Sequence, residues 1–448
     1  MTLTAAVLAA PDRFAATLPL PPPEFDWRDY AAMLLHIAAE IEHALMVEYL
    51  FAAYSLGGPD VPESLRPKVR EWQEVILGIA KEEMGHLVTV QNVLTAIGAP
   101  MNLDREDYPF GSPFYPFRFS LEALSLGSLA AFVVAESPPD WEGDEADEIR
   151  ARAADDEGAD VIPVEVLYTA IIKLLADEHL IPNTVFQAQT VPYQASWDEW
   201  GRGYGPGAEG PESANVPGTP APDLLILEIW SRDSAVVALK QVSEQGEGLK
   251  PSDDFGGERS HFDRFLGIYR EMVTLDDDEL QRVTRPVASN PRTGEAVAGA
   301  APGHAITDPE ALAWAHLFNL RYRMLLTNLS HAFVLAGPAE QRHRGRLIHR
   351  TFAEMYNLRA ISGMLVMLPL GDPNPDDLNA GPPFEMPYTL ALAQREHDRL
   401  LLERDLLRAA GALVASLRPL TSERGERYLT ALDEADRLAL AQLEVMLR

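Results

Sequence analysis

Glu83 and His86 lie three residues apart in an apolar stretch, and both side chains can bind a metal ion. A helix advances about 100° per residue, so positions i and i+3 share one face and can hold one ion together. The neighbours of Glu83 at helical spacing are all apolar, namely Ile76, Ile79, Ala80, Leu87 and Val90. A carboxylate on such a face is costly to bury unless it is paired, protonated or bound to metal. The pair therefore indicates a buried metal site that needs further ligands from other helices.

A second acid of the same kind lies in the segment 32–54. Glu42 is flanked at helical spacing by apolar residues, namely Leu35, Ala38, Ala39, Leu45, Met46 and Tyr49. Glu40 lies elsewhere around this helix and is expected to be solvated, whereas Glu48 also has apolar neighbours and remains a rival ligand. Single glutamates and Glu-x-x-His motifs that project into a helical bundle are the ligand pattern of carboxylate-bridged di-iron and di-manganese proteins. The sequence thus favours an all-α bundle with a two-metal site.

Composition narrows the classes of partner and of metal ligand. The 448 residues carry 68 acidic and 37 basic side chains, a formal charge of −31, which disfavours nucleic acid and anionic membranes as partners. The absence of cysteine excludes disulfides, thiolate metal sites and cysteine nucleophiles, so any metal must be bound by carboxylate and imidazole, ligands that suit iron or manganese. Residues 1–23 lack the pattern of a signal peptide, and no run reaches the roughly 18 apolar residues of a membrane span, so we expect a cytoplasmic protein.

The apolar periodicity is helical along most of the chain. Helices are predicted over residues 26–56, 67–97, 121–136, 163–178, 223–245, 260–273, 311–335 and 342–368, with further helices after residue 387. Residues 137–160 and 190–222 are predicted to be loops, and residues 285–306 a linker. The expected organisation is a metal-binding helical bundle over residues 24–284 and a helical C-terminal region, residues 307–448, packed on it.

Three more segments offer ligands for a bundle that draws carboxylates from all its helices. Glu165 is the obvious acid of the third long helix, with Tyr168 and Ile172 on its face. Glu244 and Glu247 are three residues apart in Ser-Glu-Gln-Gly-Glu-Gly, where the glycines end or distort a helix, so a solvated acidic helix end is the alternative interpretation. His261 follows shortly and is a candidate second imidazole.

These motifs, taken in order, resemble a known family. They are Glu42-His43-Ala44, Glu83-Met84-Gly85-His86, Glu165-Val166-Leu167-Tyr168, Glu244-Gln245-Gly246-Glu247-Gly248 and Ser260-His261-Phe262. Together they resemble the ferritin-like domain of the iminophenyl-pyruvate dimer synthase type, which occurs in a violacein-pathway enzyme, and the resemblance extends over about residues 28–400. It implies a ferritin-like four-helix bundle whose metal ligands are Glu42, Glu83, His86, Glu165, Glu244 and His261, with Glu247 as a seventh candidate. This chain has Met46-Val47-Glu48 where many members carry a proline-containing turn.

The same resemblance implies an enzyme of specialised metabolism with two iron ions per chain, manganese being the alternative metal. We expect a non-haem di-iron oxidase or oxygenase that uses dioxygen to oxidise a small amino-acid-derived, aromatic substrate in an imine-oxidising or coupling step. An upstream amino-acid oxidase or an electron donor would be its partner, and the expected state is a monomer or homodimer. The alternatives are a manganese enzyme that dismutates peroxide and a metal-binding protein for iron storage or scaffolding, although a chain of 448 residues suits a storage cage of small subunits poorly.

Two other groups of residues leave alternatives open. His316 and His331 lie in an apolar helix with Arg321 and Arg323 between them. Either the histidines are satisfied core or interface residues, or Arg321 or Arg323 meets a substrate carboxylate. The aromatic residues of the 190–222 loop either anchor that loop or form a lid over an aromatic substrate; they are Trp197, Trp200 and Tyr204.

Overall fold

The computed structural model describes residues 21–112, 114–158, 160–200, 224–247, 259–294, 303–336, 341–372, 374 and 376–448. Its helices are α1 (Trp27–Ser55), α2 (Arg66–Ala96), α3 (Leu126–Ala135), α4 (Asp144–Glu157), α5 (Glu165–Ala176), α6 (Trp197–Trp200), α7 (Arg232–Glu247), α8 (His261–Met272), α9 (Asp277–Val283), α10 (Pro309–Phe333), α11 (Gln341–Leu365), α12 (Glu396–Leu417) and α13 (Glu423–Met446). Two 3₁₀ turns cover Asn183–Val185 and Ala188–Tyr193. The short strands β1 (Pro291–Arg292) and β2 (His304–Ala305) pair in parallel, with Pro291 opposite His304. The all-α class predicted from the sequence is confirmed.

The chain divides into two compact units. The first comprises the described parts of Met1–Arg105, Phe110–Ser120 and Leu124–Thr284, and it contains α1 to α9. The second comprises the described parts of Glu106–Pro109, Leu121–Ala123 and Arg285–Arg448, and it contains both strands and α10 to α13.

Local signals set the ends of the two long helices of the first unit. Asp26 caps α1 by accepting a hydrogen bond from the backbone N–H of Asp29 at 2.8 Å. Pro67 stands in the first turn of α2, where a missing N–H costs nothing. After α2, Gly98 has a φ of +68°, the left-handed conformation that glycine adopts most readily. The predicted bounds of both helices therefore agree with the structure to within one residue at each end.

In the first unit, α1 packs along α2 and also contacts α5. The helix α8 contacts α2, α3 and α7, while α7 contacts α2 and α5. Among the described residues, α1 alone is long and apolar enough to span a membrane, but most of that stretch is buried inside the protein. We therefore interpret α1 as a core helix of the first unit.

Two predicted elements of this unit were wrong. Residues 144–157, expected in a loop, form α4, because Ala146, Ile149 and Ala153 give its otherwise acidic sequence a buried face. The helix expected from residue 223 begins instead at Arg232. The residues before it have no regular secondary structure and lie along α2. There the Thr89 hydroxyl donates to the carbonyl of Leu225 at 2.6 Å and satisfies a backbone group that a helix would otherwise pair.

The second unit is also built from local start signals and an apolar core. Asp308 caps α10 by accepting hydrogen bonds from the backbone N–H groups of Glu310 and Ala311, with Pro309 in the first turn. The helix α10 packs on α11 and α12, and α12 packs on α13. A core cluster joins three of these helices through Met324, Leu400, Leu406, Leu407, Ala410 and Leu443.

Candidate metal centre

The first group of possible ligands comes from α1 and α2. Glu42, Glu83 and His86 are all buried, with 2% of each residue exposed. The Nδ1 atom of His86 lies 2.9 Å from Glu83 Oε2 and 3.4 Å from Glu42 Oε2. One ligand atom from each of the three residues lies within 4.8 Å of the others, so the group can hold one metal ion.

A second group shares Glu83 with the first. It adds Glu136, which directly follows α3, and His261, the first residue of α8. The Nδ1 atom of His261 lies 2.9 Å from Glu83 Oε1 and 3.6 Å from Glu136 Oε2. These ligand atoms also lie within 4.8 Å of one another. The two oxygens of Glu83 thus face one imidazole each, as in a carboxylate that bridges two ions.

Hydrogen-bond geometry is consistent with metal ligation at both groups. Glu42 Oε2, Glu83 Oε1 and His261 Nδ1 are buried atoms that make no hydrogen bond of good geometry, although Glu83 Oε1 and His261 Nδ1 lie only 2.9 Å apart. Polar atoms without a partner are rare at such depth in folded proteins, and one reason that they occur is that they bind an ion. Carboxylate oxygen with imidazole nitrogen is a donor set that iron and manganese accept. The residues present therefore fit a metal at each group.

Two tyrosines hold the unshared carboxylates. The Tyr49 hydroxyl donates to Glu136 Oε1 at 2.6 Å, and the Tyr168 hydroxyl donates to Glu42 Oε1. Burial raises the pKa of both tyrosines well above the ordinary value, and the neighbouring carboxylates raise it further. Both hydroxyls consequently stay protonated and keep one oxygen of each carboxylate occupied, which leaves the other oxygen facing the imidazoles.

The outward nitrogen of each imidazole also has a buried partner. His86 Nε2 lies 2.8 Å from Gln245 Oε1, and His261 Nε2 lies 2.8 Å from Glu82 Oε2. Glu82 is in turn held by the guanidinium of Arg264. Since each Nε2 faces an acceptor, each ring keeps a proton there, and Nδ1 is the nitrogen that would bind a metal.

Without metal, protons supply the positive charge of the cluster. Burial raises the pKa of Glu42 to about 8, and the neighbouring Glu83 contributes to the rise. Burial also acts to raise the pKa of Glu83, but His261 and His86 outweigh it and hold that pKa well below the usual range. Burial acts to lower the pKa of His86, but the attraction of Glu83 outweighs it and raises that pKa to about 10. The metal-free cluster is therefore an ionised Glu83 between two imidazolium groups.

The remaining predicted ligands lie outside both groups. Glu165, the first residue of α5, is half-buried; its Oε2 atom is buried without a hydrogen-bond partner, and burial raises its pKa. Glu244 is exposed on α7, and the next residue along the helix, Gln245, contacts His86 instead. Glu247 is the last residue of α7, and its side chain is outside the described part of the chain. The rival Glu48 is buried but accepts a hydrogen bond from the backbone N–H of Ser120 at 2.8 Å.

Glu136 is the member of the site that sequence reasoning missed. It stands at the C-cap of α3 ahead of Ser-Pro-Pro, a position typical of a solvated helix end. The available signal was the helix before it, because α3 has no charged residue on any face and a helix that is apolar all round is buried. An acid that ends such a helix is expected to be buried with it.

A third group of histidines and acids in the second unit is an ion-pair network. His331, His343 and Glu396 bring possible ligand atoms within 4.8 Å of one another. However, Arg346 Nη2 lies 2.8 Å from His343 Nε2, and arginine can only donate, so the His343 proton lies on Nδ1 and faces Glu396. Arg399 also pairs with Glu396 at 2.9 Å. No lone pair of His343 is left for a metal at this position.

The structure also places some of the arginine and aromatic residues for which the sequence left two interpretations open. Arg321 is fully buried and pairs with Glu354 at 3.2 Å and with Asp436, so its charge is neutralised inside the second unit. Arg323 contacts the exposed ring of Tyr388. Trp200 is buried, whereas the side chain of Trp197 and all of Tyr204 fall outside the described residues.

Comparisons with known proteins connect this geometry to a family. A family model described as Ferritin-like matches residues 35–270, which include every residue of the two groups. The chain is similar to a dichlorochromopyrrolate synthase from Lentzea aerocolonigenes, with 31% identity over 392 residues that cover 80% of this chain and 36% of the relative. It is also similar to a 2-imino-3-(indol-3-yl)propanoate dimerase from Chromobacterium violaceum, with 25% identity over 437 residues that cover 88% of this chain and 38% of the relative. The chain thus spans less than two fifths of the length of either relative.

Among solved structures, the chain is similar to a ferritin-like protein from Caulobacter vibrioides. The TM-score is 0.43 at 18% identity, and the match covers 74% of this chain and 97% of that chain.

Proposed function

Because the chain belongs to the ferritin-like family, we propose that it is a non-haem two-metal oxidoreductase whose centre is formed by the two groups that share Glu83. One ion would be held by Glu42, Glu83 and His86, and the other by Glu83, Glu136 and His261. Glu165 is a further candidate ligand, since its orphaned buried oxygen lies one helical turn from Tyr168, which bonds Glu42. The observation that carries the proposal is the arrangement of Glu83, each of whose oxygens lies 2.9 Å from the Nδ1 atom of a different histidine.

Iron is the metal we propose, with manganese as the alternative. When bound, the metal would carry out the redox chemistry with dioxygen. The protein's contribution is positioning and exclusion of water. Tyr49 and Tyr168 hold the unshared carboxylates, while Gln245 and Glu82 hold the imidazoles in one tautomer. The ligand-bearing helices are lined by fully buried apolar side chains, which keeps the centre in a medium of low dielectric constant.

The substrate class follows from the names of the two relatives. One is a synthase of a dichlorinated chromopyrrolate and the other a dimerase of an indolyl imine, so both are enzymes. We propose an aromatic, amino-acid-derived imine as substrate. Oxidative coupling would remove one hydrogen from each of two such molecules and join them by one carbon–carbon bond. One dioxygen molecule would accept the two electrons and two protons and leave as hydrogen peroxide.

The biological setting is part of the same proposal. The imine would come from an upstream amino-acid oxidase, and any additional electrons from a separate donor. The protein would act in the cytoplasm as a monomer or homodimer. Gel filtration tests the oligomeric state, because a shell of about 24 subunits would instead favour metal storage.

The decisive experiment measures metal per chain by plasma mass spectrometry after anaerobic loading with Fe²⁺. We expect about two ions per wild-type chain and a loss of bound iron in Glu83→Gln, because Glu83 serves both groups. Glu244→Gln is the matched control, since it removes the same charge from an exposed position and should keep full occupancy. Circular dichroism checks that each variant is folded. Dioxygen uptake that depends on an indolyl imine would support the oxidase, whereas metal-free wild-type protein after loading would refute the proposal.

A further inference from the structure

The two groups are alike in almost every respect. Each contains one unshared glutamate, one half of Glu83 and one imidazole that presents Nδ1. In each group a buried tyrosine donates to the unshared glutamate. Apart from Glu165, the further candidate near Glu42, a bound ion would therefore meet the same set of direct donors at either position. The outer partners of the two imidazoles are the next feature that can make the positions unequal.

The difference lies behind the imidazoles. His86 Nε2 faces the neutral amide oxygen of Gln245, and His261 Nε2 faces the carboxylate of Glu82, both at 2.8 Å. Glu82 has none of its surface exposed to solvent. Its charge is kept in this setting by Arg264, whose guanidinium donates to both oxygens.

A carboxylate accepts a hydrogen bond more strongly than an amide does, so it draws the Nε2 proton further from the ring. The ring nitrogen on the other side becomes a stronger donor to a metal. Outer carboxylate partners of this kind typically change metal affinity about 10- to 100-fold. Arg264 moderates the effect, because it shares the charge of Glu82, but it does not turn the carboxylate into a neutral acceptor.

We propose that the two metal positions are unequal, and that the His261 position binds its ion first and more tightly because Glu82 is its outer partner. This inference rests on the proposed two-metal function. It makes Glu82 and Arg264 positioning residues that act through His261 without touching metal or substrate.

The test is an anaerobic titration of the metal-free protein with Mn²⁺, in which free Mn²⁺ is counted by electron paramagnetic resonance. We expect two binding steps in the wild type whose affinities differ about 10-fold or more. Glu82→Gln gives both imidazoles an amide partner and still offers Arg264 an acceptor. In this variant the tighter step should weaken and merge with the other.

Gln245→Ala is the matched variant on the other side. It removes the partner of His86 and should weaken only the looser step, so that the two affinities move further apart. His261→Ala and His86→Ala assign the steps, because each should abolish one of them. Two equal steps in the wild type, or a Glu82→Gln variant with both steps unchanged, would overturn the inequality and leave the two-metal function standing. Wild-type protein that binds no Mn²⁺ and no Fe²⁺ would overturn both.

Discussion

The helix α8 carries two arginine–glutamate pairs that differ mainly in burial. Arg264 donates to both oxygens of Glu82, with 13% of the arginine side chain exposed and none of the glutamate side chain. Arg270 donates to both oxygens of Glu145 at 2.7 and 2.6 Å, with 58% and 47% of the two side chains exposed. Replacing each arginine by methionine, which keeps an unbranched apolar chain, therefore compares the same chemistry in two environments.

The expected magnitudes follow from the cost of leaving a carboxylate unpaired. Removing one partner of a buried ion pair costs about 3–5 kcal/mol. His261 remains beside Glu82, so we expect Arg264→Met to lower the free energy of unfolding by about 3 kcal/mol, the low end of that range. An exposed pair contributes only about 0–1 kcal/mol, so Arg270→Met should cost about 0.5 kcal/mol.

Urea unfolding of the metal-free protein, followed by far-UV circular dichroism, measures both values under the same conditions. The double variant Arg264→Met/Glu82→Gln should recover part of the loss, because its glutamine no longer carries an unpaired charge. If the two single variants lie within about 1 kcal/mol of each other, burial is not what makes the Glu82 pair matter, and the reasoning fails.

Two further predictions concern backbone packing and acid stability. A Cβ at Gly85 would lie 3.3 Å from the backbone nitrogen of Leu225, whereas one at Gly267 would meet nothing within 4 Å. Calorimetry should therefore show that Gly267→Ala stabilises the protein by up to about 1 kcal/mol through helix propensity. Gly85→Ala should give no such stabilisation, because its new methyl group is crowded by the backbone of Leu225. Equal effects of the two substitutions would contradict this packing. Burial acts to raise the pKa of Glu403, but the hydrogen bond from His331 and the nearby arginines outweigh it and lower that pKa to about 2. Since this is below the unfolded value, Glu403 should contribute about 3 kcal/mol above pH 5, a contribution lost as the pH falls from about 4.5 to 2. Hydrogen exchange of the α12 amides in wild type and in Glu403→Gln measures this contribution as a function of pH. A stability difference between the two proteins that does not change with pH would contradict the prediction.

The parts of this protein that the sequence predicted well are those where the signal is local. The stripe around Glu42 and the stripe around Glu83 each showed an acid where only apolar residues are expected, and both acids are buried in the same group. Asp26 and Gly98 fixed helix ends because caps depend on a few adjacent residues. Such signals need no knowledge of what packs against the helix.

Which side chain of α7 reaches the site depends on how that helix packs, and no local sequence pattern specifies that packing. On α7, the step from Glu244 to Gln245 turns the side chain by about 100°, and this step separates an exposed acid from the partner of His86. The segment before Arg232 is held against α2, where Thr89 and Asn92 donate hydrogen bonds to its backbone. Which face of α7 meets the site depends on how the whole helix packs on α2 and α5, and the sequence of α7 alone does not give that orientation.

Glu82 and Glu83 are adjacent on α2, and packing decides their roles as well. Both are buried on α2, and both contact His261, yet they approach it from opposite sides of its ring. Helical geometry places adjacent side chains about 100° apart, so the two acids cannot face the same neighbour in the same way. Glu83 points between the two histidines, and Glu82 points to Arg264 of α8. A buried acid with an arginine partner stays ionised as an outer support, whereas an acid between two imidazoles is a candidate to bridge two ions. The sequence indicates burial for Glu83 alone, whereas the structure shows that Glu82 is buried beside it and that the position of α8 gives the two acids different roles.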